Sequence, residues 1–145
     1  MDNPTLHLQL FLDLVKIQTI ITRRYDRKLG GGLGFSDFVV LWHLSQAEGK
    51  KLRRVDLADK LGVTASGITR MLLPMEKIGL IAREADVRDA RVSTVLLAPV
   101  GKRLLQERLE RAESIAQEAI PSALGKTTTH LAASLATLSA SLGNG

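Results

Sequence analysis

The sequence predicts a mainly α-helical fold with a small β-hairpin, and three observations carry that prediction. Apolar residues recur at three- and four-residue spacing near both ends, through Leu6, Leu10, Leu14, Ile17 and Ile21 and again through Leu104, Leu105, Leu109, Ala112, Ile115 and Ala119. In the middle, two short apolar-periodic stretches are split by Gly62, a residue suited to ending a helix sharply. After them comes "READVRDARVSTVLLAP", residues 83–99, in which a dense Arg/Asp alternation leads into a β-branched, aliphatic, strand-like run.

Size and composition narrow the classes. A chain of 145 residues, 45% apolar and 24% charged, suits one folded domain with a real core. No apolar run approaches the ~20 residues that span a bilayer. The opening "MDNPTLHL" is acidic and polar where a secretory signal would be basic and then apolar, so a cytoplasmic location is expected and no membrane partner. The chain has no cysteine, which excludes disulfides, thiolate zinc sites and thiol-based sensing. His7, His43 and His130 are too scattered to form a local metal-ligand pair, and no metal or cofactor is expected. The net charge of +5 is uneven: residues 50–103 hold twelve Lys or Arg against six Asp or Glu, leaving the rest near −1. A basic middle between near-neutral flanks is the footprint of a polyanion-binding segment.

Taken in order, Thr5 to Leu29 reads as a long helix. Leu8, Phe11, Leu12 and Val15 add a second apolar face to the first, so it needs burial on several sides, which a short monomer scarcely provides. "GGGLG", residues 30–34, is a flexible connector; no Gly-Lys-Ser/Thr follows it to make a phosphate loop. A second helix is expected over Ser36 to Ala47 with Ser36 as its N-cap. Beyond the middle, Val100 to Ala119 is strongly helical. Pro121 and Gly125 punctuate it, and Leu131, Leu135, Leu138 and Leu142 resume at coiled-coil-like spacing. The terminal helices look built to pack on each other or on a second copy.

"RVDLADKLGVTASGITRMLL" is the most specific signal. A short helix from Val55 to Leu61 ends at Gly62, Val63 returns to the core, and Thr64 caps a second helix carrying Ile68, Met71 and Leu72. Small Ala58 permits two helices to cross closely over a tight turn, which is helix-turn-helix chemistry. In that motif the second helix enters the major groove of double-stranded DNA with its N-terminal turns. Its outward residues would be Ala65, Ser66, Thr69 and Arg70. Arg70 suits guanine, the hydroxyls suit base edges or phosphates, and Ala65 suits a thymine methyl. Lys50, Lys51, Arg53 and Arg54 crowd the first helix's N-terminus, where cations oppose the macrodipole, so phosphate contacts are expected there, from Arg53 and Arg54 above all. Pro74 requires the recognition helix either to kink near Leu73 or to stop and restart. "EKIGL" closes the element at Gly79. Strands over Leu80–Arg83 and Val92–Leu97, with a tip at residues 84–90, then form a wing whose Arg side chains can reach a minor groove.

On "DLADKLGVTASGITRMLLPMEKIGLIAREADVRDARVSTVLLAPVGKRLL" the chain resembles the MarR (multiple antibiotic resistance regulator) family of dimeric winged-helix transcription factors. The resemblance implies one unit over 1–145, with a DNA-binding winged helix-turn-helix at 35–99 and N- and C-terminal dimerisation helices at 1–34 and 100–145. It places the family's wing Asp-x-Arg on Asp89 and Arg91, with Arg91 in the minor groove and Asp89 holding the wing by ion pairing. Arg88 is a second tip candidate, and Thr64, Ser66, Thr69 and Arg70 fall on the recognition helix. Three departures stand out. Arg53 sits where a Ser or Thr N-cap is usual, Ala98 replaces the usual Thr before the next helix, and the missing cysteines set the chain apart from thiol-switched members.

The function implied is sequence-specific binding of a pseudo-palindromic operator by a homodimeric, ligand-responsive repressor. The alternative is a winged-helix protein–protein module without DNA binding; nothing points to an enzyme. Many members release DNA on binding a small aromatic or phenolic effector. The residues that would hold one are not assigned by the resemblance. Tyr25, Trp42 and His43 are candidates, although a Trp-His pair in an apolar helix more often belongs to the core. The fragment from Lys50 to Pro99 is expected to be monomeric if the interface lies in the terminal helices.

Overall fold

The computed structural model describes residues 2–89 and 91–143. Helix α1, Leu6–Lys28, starts where Thr5 Oγ1 accepts the Leu8 amide at 3.3 Å. It ends at Gly30, Gly31 and Gly32, all with φ between 70° and 79°, a left-handed run that only glycine adopts freely. The run turns the chain sharply and drops Leu29 and Leu33 into the core. Arg108 lies directly beneath it; a Cβ on Gly31 would fall within 2.9 Å of the guanidinium carbon.

Helix α2, Phe35–Gln46, begins one residue before the sequence expectation, with Gly34 and not Ser36 at the N-cap. The cap is supplied from a distance: Asp26 Oδ1 accepts the Phe35 amide at 2.8 Å. A carboxylate from the previous helix satisfies the free donor better than a local serine. Val40, Leu41 and Leu44 make α2 the central helix of the core.

A 3₁₀ turn at Glu48–Lys50 leads to strand β1, Lys51–Arg53, where the sequence pattern predicts only a basic cluster. Helices α3, Arg54–Leu61, and α4, Ala65–Lys77, follow on either side of Gly62, which has φ 69° and ψ 30° as a left-handed helix terminator requires. Thr64 caps α4 by accepting the Gly67 amide at 3.1 Å. Pro74 neither stops nor restarts α4, which runs unbroken to Lys77. Pro74 is exposed, so the Arg70 carbonyl that it cannot bond can turn to water.

Strands β2, Ile81–Ala85, and β3, Ser93–Leu97, pair antiparallel, and β1 adds to the far side of β3 in the order β1-β3-β2. Val95 stands opposite both Leu52 and Arg83 and is buried. Both strands differ from expectation: β2 runs two residues further, and β3 starts at Ser93 because Val92 is used in the wing turn. Of the predicted tip, Ala90 lies outside the described residues.

Helix α5, Pro99–Ala119, opens with Pro99 in its first turn, where the missing amide costs nothing. Gly101 lets that turn sit against the sheet; a Cβ there would overlap the Leu80 carbonyl oxygen. Leu105, Ala112 and Ile115 bury against the core, while Leu109 and Ala119 of the predicted stripe stay exposed. Helix α6, Thr127–Leu142, closes the described chain. Neither α1 nor α6 has a single buried residue among those described, though both are rich in leucine. No helix among the described residues is long and apolar enough to cross a membrane.

Candidate nucleic-acid interface

Arg53, Arg54, Thr64, Ala65 and Arg91 of the predicted contact set come together in one cleft of the winged helix-turn-helix. A cleft of about 470 Å³ between α3, the start of α4 and the base of the wing is lined by Arg53, Arg54, Thr64, Ala65, Arg91 and Ser93, among others. Arg91 from the wing thereby shares one concave surface with the N-terminal turn of α4 and that of α3. Ser66, Thr69 and Arg70 follow along α4. Arg88 is at the exposed wing tip, separate from the cleft.

The wing is built from its aspartates. Asp86 Oδ1 accepts the amides of Arg88 at 2.6 Å and Asp89 at 3.2 Å, closing a tight turn of the kind short acidic side chains favour. The backbone closes it again through Asp86 N–H to Val92 O and Val92 N–H to Asp89 O, both 3.0 Å. Asp89 then accepts from Arg91 Nε at 3.1 Å and Nη2 at 3.3 Å. The Arg91 side-chain and backbone donors hold the Asp89 carboxyl below its usual range, so it is ionised wherever Arg91 needs a partner. Asp86 was not singled out from the sequence, although an aspartate two and three residues before the amides it bonds is a legible turn signal.

At the first helix, Arg53 makes no side-chain cap and pairs with Asp56 instead. Its guanidinium reaches Asp56 through Nε at 2.8 Å and Nη2 at 3.2 Å, within the first turn of α3. The hydrogen bond to Arg53 lowers the Asp56 pKa and raises that of Arg53. Asp56 also supplies the negative charge that a helix N-terminus favours. Arg54 faces both the large cleft and a smaller one beside Thr69, Glu76 and Arg83. Arg83 Nη2 lies 3.6 Å from Glu76 Oε1, tying β2 to the end of α4. That pair spans a turn, and no sequence periodicity announces it.

Tyr25 and Trp42 share a second cleft of about 240 Å³ with Phe35, Phe38, Leu109 and Glu113, between α1, α2 and α5. Trp42 is 38% exposed and therefore not a core residue. His43 points elsewhere, into a depression with Glu48, Lys51 and Lys60. The tyrosine is fixed by stacking on Phe35 at 4.3 Å and by its hydroxyl, which donates to the Ala112 carbonyl at 2.9 Å. Burial, with Glu113 nearby, raises its pKa.

This geometry can be set beside known proteins. The HTH-type transcriptional repressor YetL of Bacillus subtilis (strain 168) is 29% identical over 103 residues, 70% of this chain. The match spans 62% of that relative's length. Among solved structures, AbsC, a MarR family transcriptional regulator from Streptomyces coelicolor, superposes with a TM-score of 0.82 at 21% identity, covering 98% of both chains. Sco3205, a MarR family transcriptional regulator from the same organism solved in complex with DNA, gives 0.79 at 19% identity over 97% of this chain and 90% of its own. These two likenesses show a shared winged-helix fold. The sequence model of the MarR family matches residues 35–93, from the first residue of α2 to the first residue of β3. Over that segment the chain is similar to the MarR family.

Proposed function

We propose that this protein is a transcriptional regulator that binds a pseudo-palindromic operator in double-stranded DNA as a homodimer and represses until an effector binds. The observation that carries the reading is the shared surface of Arg91 and the α4 N-terminus. A wing arginine and a recognition helix on one side of a domain can follow adjacent minor and major grooves. The basic excess of residues 50–103 supplies the phosphate neutralisation that such binding needs. Repression is supported by the repressor YetL, and DNA contact through this fold by the DNA complex of Sco3205.

Homodimerisation is supported by α1 and α6. Leu8, Leu10, Phe11, Leu12, Val15 and Ile17 are each more than 40% exposed on one helix of this chain, a concentration of bare apolar side chains that favours burial against a partner. The helices at 1–34 and 100–145 would carry the dimer, and 35–99 the DNA. The Tyr25–Trp42 cleft, apolar with a single carboxylate at its rim, is the place for a small aromatic or phenolic effector.

Charge reversal tests the reading. Arg70→Glu and Arg91→Glu should each abolish binding to an operator fragment in a fluorescence anisotropy titration at moderate salt. If either variant still binds every duplex as the parent does, the DNA-binding reading fails and the protein–protein module takes its place.

A further inference from the structure

The recognition helix offers few free groups for reading bases, and the structure assigns polar base readout to Arg70 alone, directed at a guanine. This rests on the DNA-binding reading above and narrows it. At 100° per residue, the face of α4 opposite the buried Ile68, Leu72 and Met75 is formed by Ser66, Arg70, Leu73 and Lys77, with Thr69 and Pro74 on its flanks and Ala65 exposed at the helix N-terminus. Five of these seven are removed from hydrogen-bonded readout by type, place or a bond already made. Ala65, Leu73 and Pro74 have no polar side-chain atoms. Lys77 stands in the last turn, two turns beyond Arg70, where a helix entering a groove by its N-terminus has reached the backbone. Ser66 shares its hydroxyl with Thr64, at 3.3 Å, and Thr64 is itself occupied as the N-cap by the Gly67 amide.

Thr69 is the fourth kind of case. Its Oγ1 donates to the Ala65 carbonyl at 3.0 Å, four residues back. With its proton committed to its own helix, the hydroxyl can act toward a base only as an acceptor, and a single acceptor discriminates weakly between bases. Thr69 also presents its methyl group.

Arg70 differs from all of these. It is exposed, and among the described residues it makes no side-chain hydrogen bond or ion pair. Of the other arginines facing the same surface, Arg53 holds Asp56 and Arg91 holds Asp89, while Arg54 stands at the start of α3, off the recognition helix. A free guanidinium on the outward face has the fork that matches guanine O6 and N7, and lysine lacks it. Each half-site should therefore contain one dominant guanine, with the remaining preferences set by methyl contacts and by the shape of the duplex.

Selection of bound sequences from random duplex DNA, run in parallel with the parent protein and four variants, tests this. The parent should enrich a guanine at one symmetric position per half-site. Arg70→Lys, which keeps the charge, and Arg70→Ala should both lose preference at that position while retaining the others. On the parent's best site, replacing that base pair should weaken parent binding by about ten- to a hundredfold and leave Arg70→Lys nearly unaffected. Thr69→Val and Ser66→Ala should select the parent's sequence. The inference is overturned if guanine enrichment survives in Arg70→Lys, or if Thr69→Val or Ser66→Ala erases a position. Failure of the parent to enrich any sequence would overturn the DNA-binding reading with it, which separates the two failures.

Discussion

Asp89 grips Arg91 from two sides at once, accepting its backbone amide at 3.0 Å and its guanidinium through Nε and Nη2 at 3.1 and 3.3 Å. The Arg91 side chain is nevertheless 91% exposed, so the pair does not bury the charge. An exposed ion pair adds little to fold stability. Its use is directional: it limits the conformations of a long side chain before that side chain meets a partner.

Breaking the pair should therefore show in binding and hardly in folding. Asp89→Ala should leave the melting temperature unchanged and weaken operator binding severalfold, because Arg91 keeps its charge but loses its aim. Arg91→Ala should weaken binding further and reduce the slope of log affinity against log salt by about one per protomer. Anisotropy titrations across a salt series check both. Because Asp89 is held below its usual range, the contribution of the pair should be present in full above ordinary carboxylate pKa values, about pH 4, and be lost only at lower pH.

The contact between α5 and the sheet admits no side chain at residue 101. Gly101→Ala should destabilise the fold by roughly 1–3 kcal/mol, since the added methyl meets the backbone carbonyl of Leu80 and the Leu41 side chain 3.1 Å away. Thermal unfolding by circular dichroism should show a fall of several degrees. Lys102→Ala, one residue on and exposed, should show almost none.

His43 gives the fold a pH dependence of definite sign. Burial, and then the charge of Lys60, lowers its pKa from 6.5, so the unfolded chain takes up a proton more readily than the folded one. The stability that this protects is complete above about pH 6.5 and is lost as the pH falls through the lower folded value. Urea unfolding between about pH 5 and 8 should show the decline, and His43→Gln should flatten it. Lys60→Gln should flatten it less, because burial is the larger cause.

The apolar face of α1 should control assembly. A Leu10→Glu, Phe11→Glu double substitution should convert a dimer to a monomer in light scattering while leaving the helical signal largely intact, because neither side chain is buried within the chain. A parent protein that is monomeric at micromolar concentration would contradict the dimer proposal. The full chain is the proper subject for this test. A fragment from Lys50 to Pro99 would lack Val40, Leu41 and Leu44 of α2 together with Leu105, Ala112 and Ile115 of α5, which form much of the core around its helices.

Local chemistry was legible in the sequence at several places where one segment supplies both partners. Thr64 caps the helix that follows it, Gly62 ends α3 in the left-handed region, and Asp89, placed by the resemblance, meets Arg91 two residues on. Periodicity located the helices for the same reason, since a helix face repeats along a single stretch of chain. The tertiary structure decided whatever needs two distant stretches. It set Asp26, not Ser36, to cap α2, added Lys51–Arg53 to the sheet beside β3, and fitted Gly101 under the Leu80 carbonyl. It also turned Trp42 into a cleft shared with Tyr25 and His43 toward Lys60, although the two are adjacent in sequence. Neighbours on a helix point about 100° apart, and only the packing of other elements determines what each direction meets.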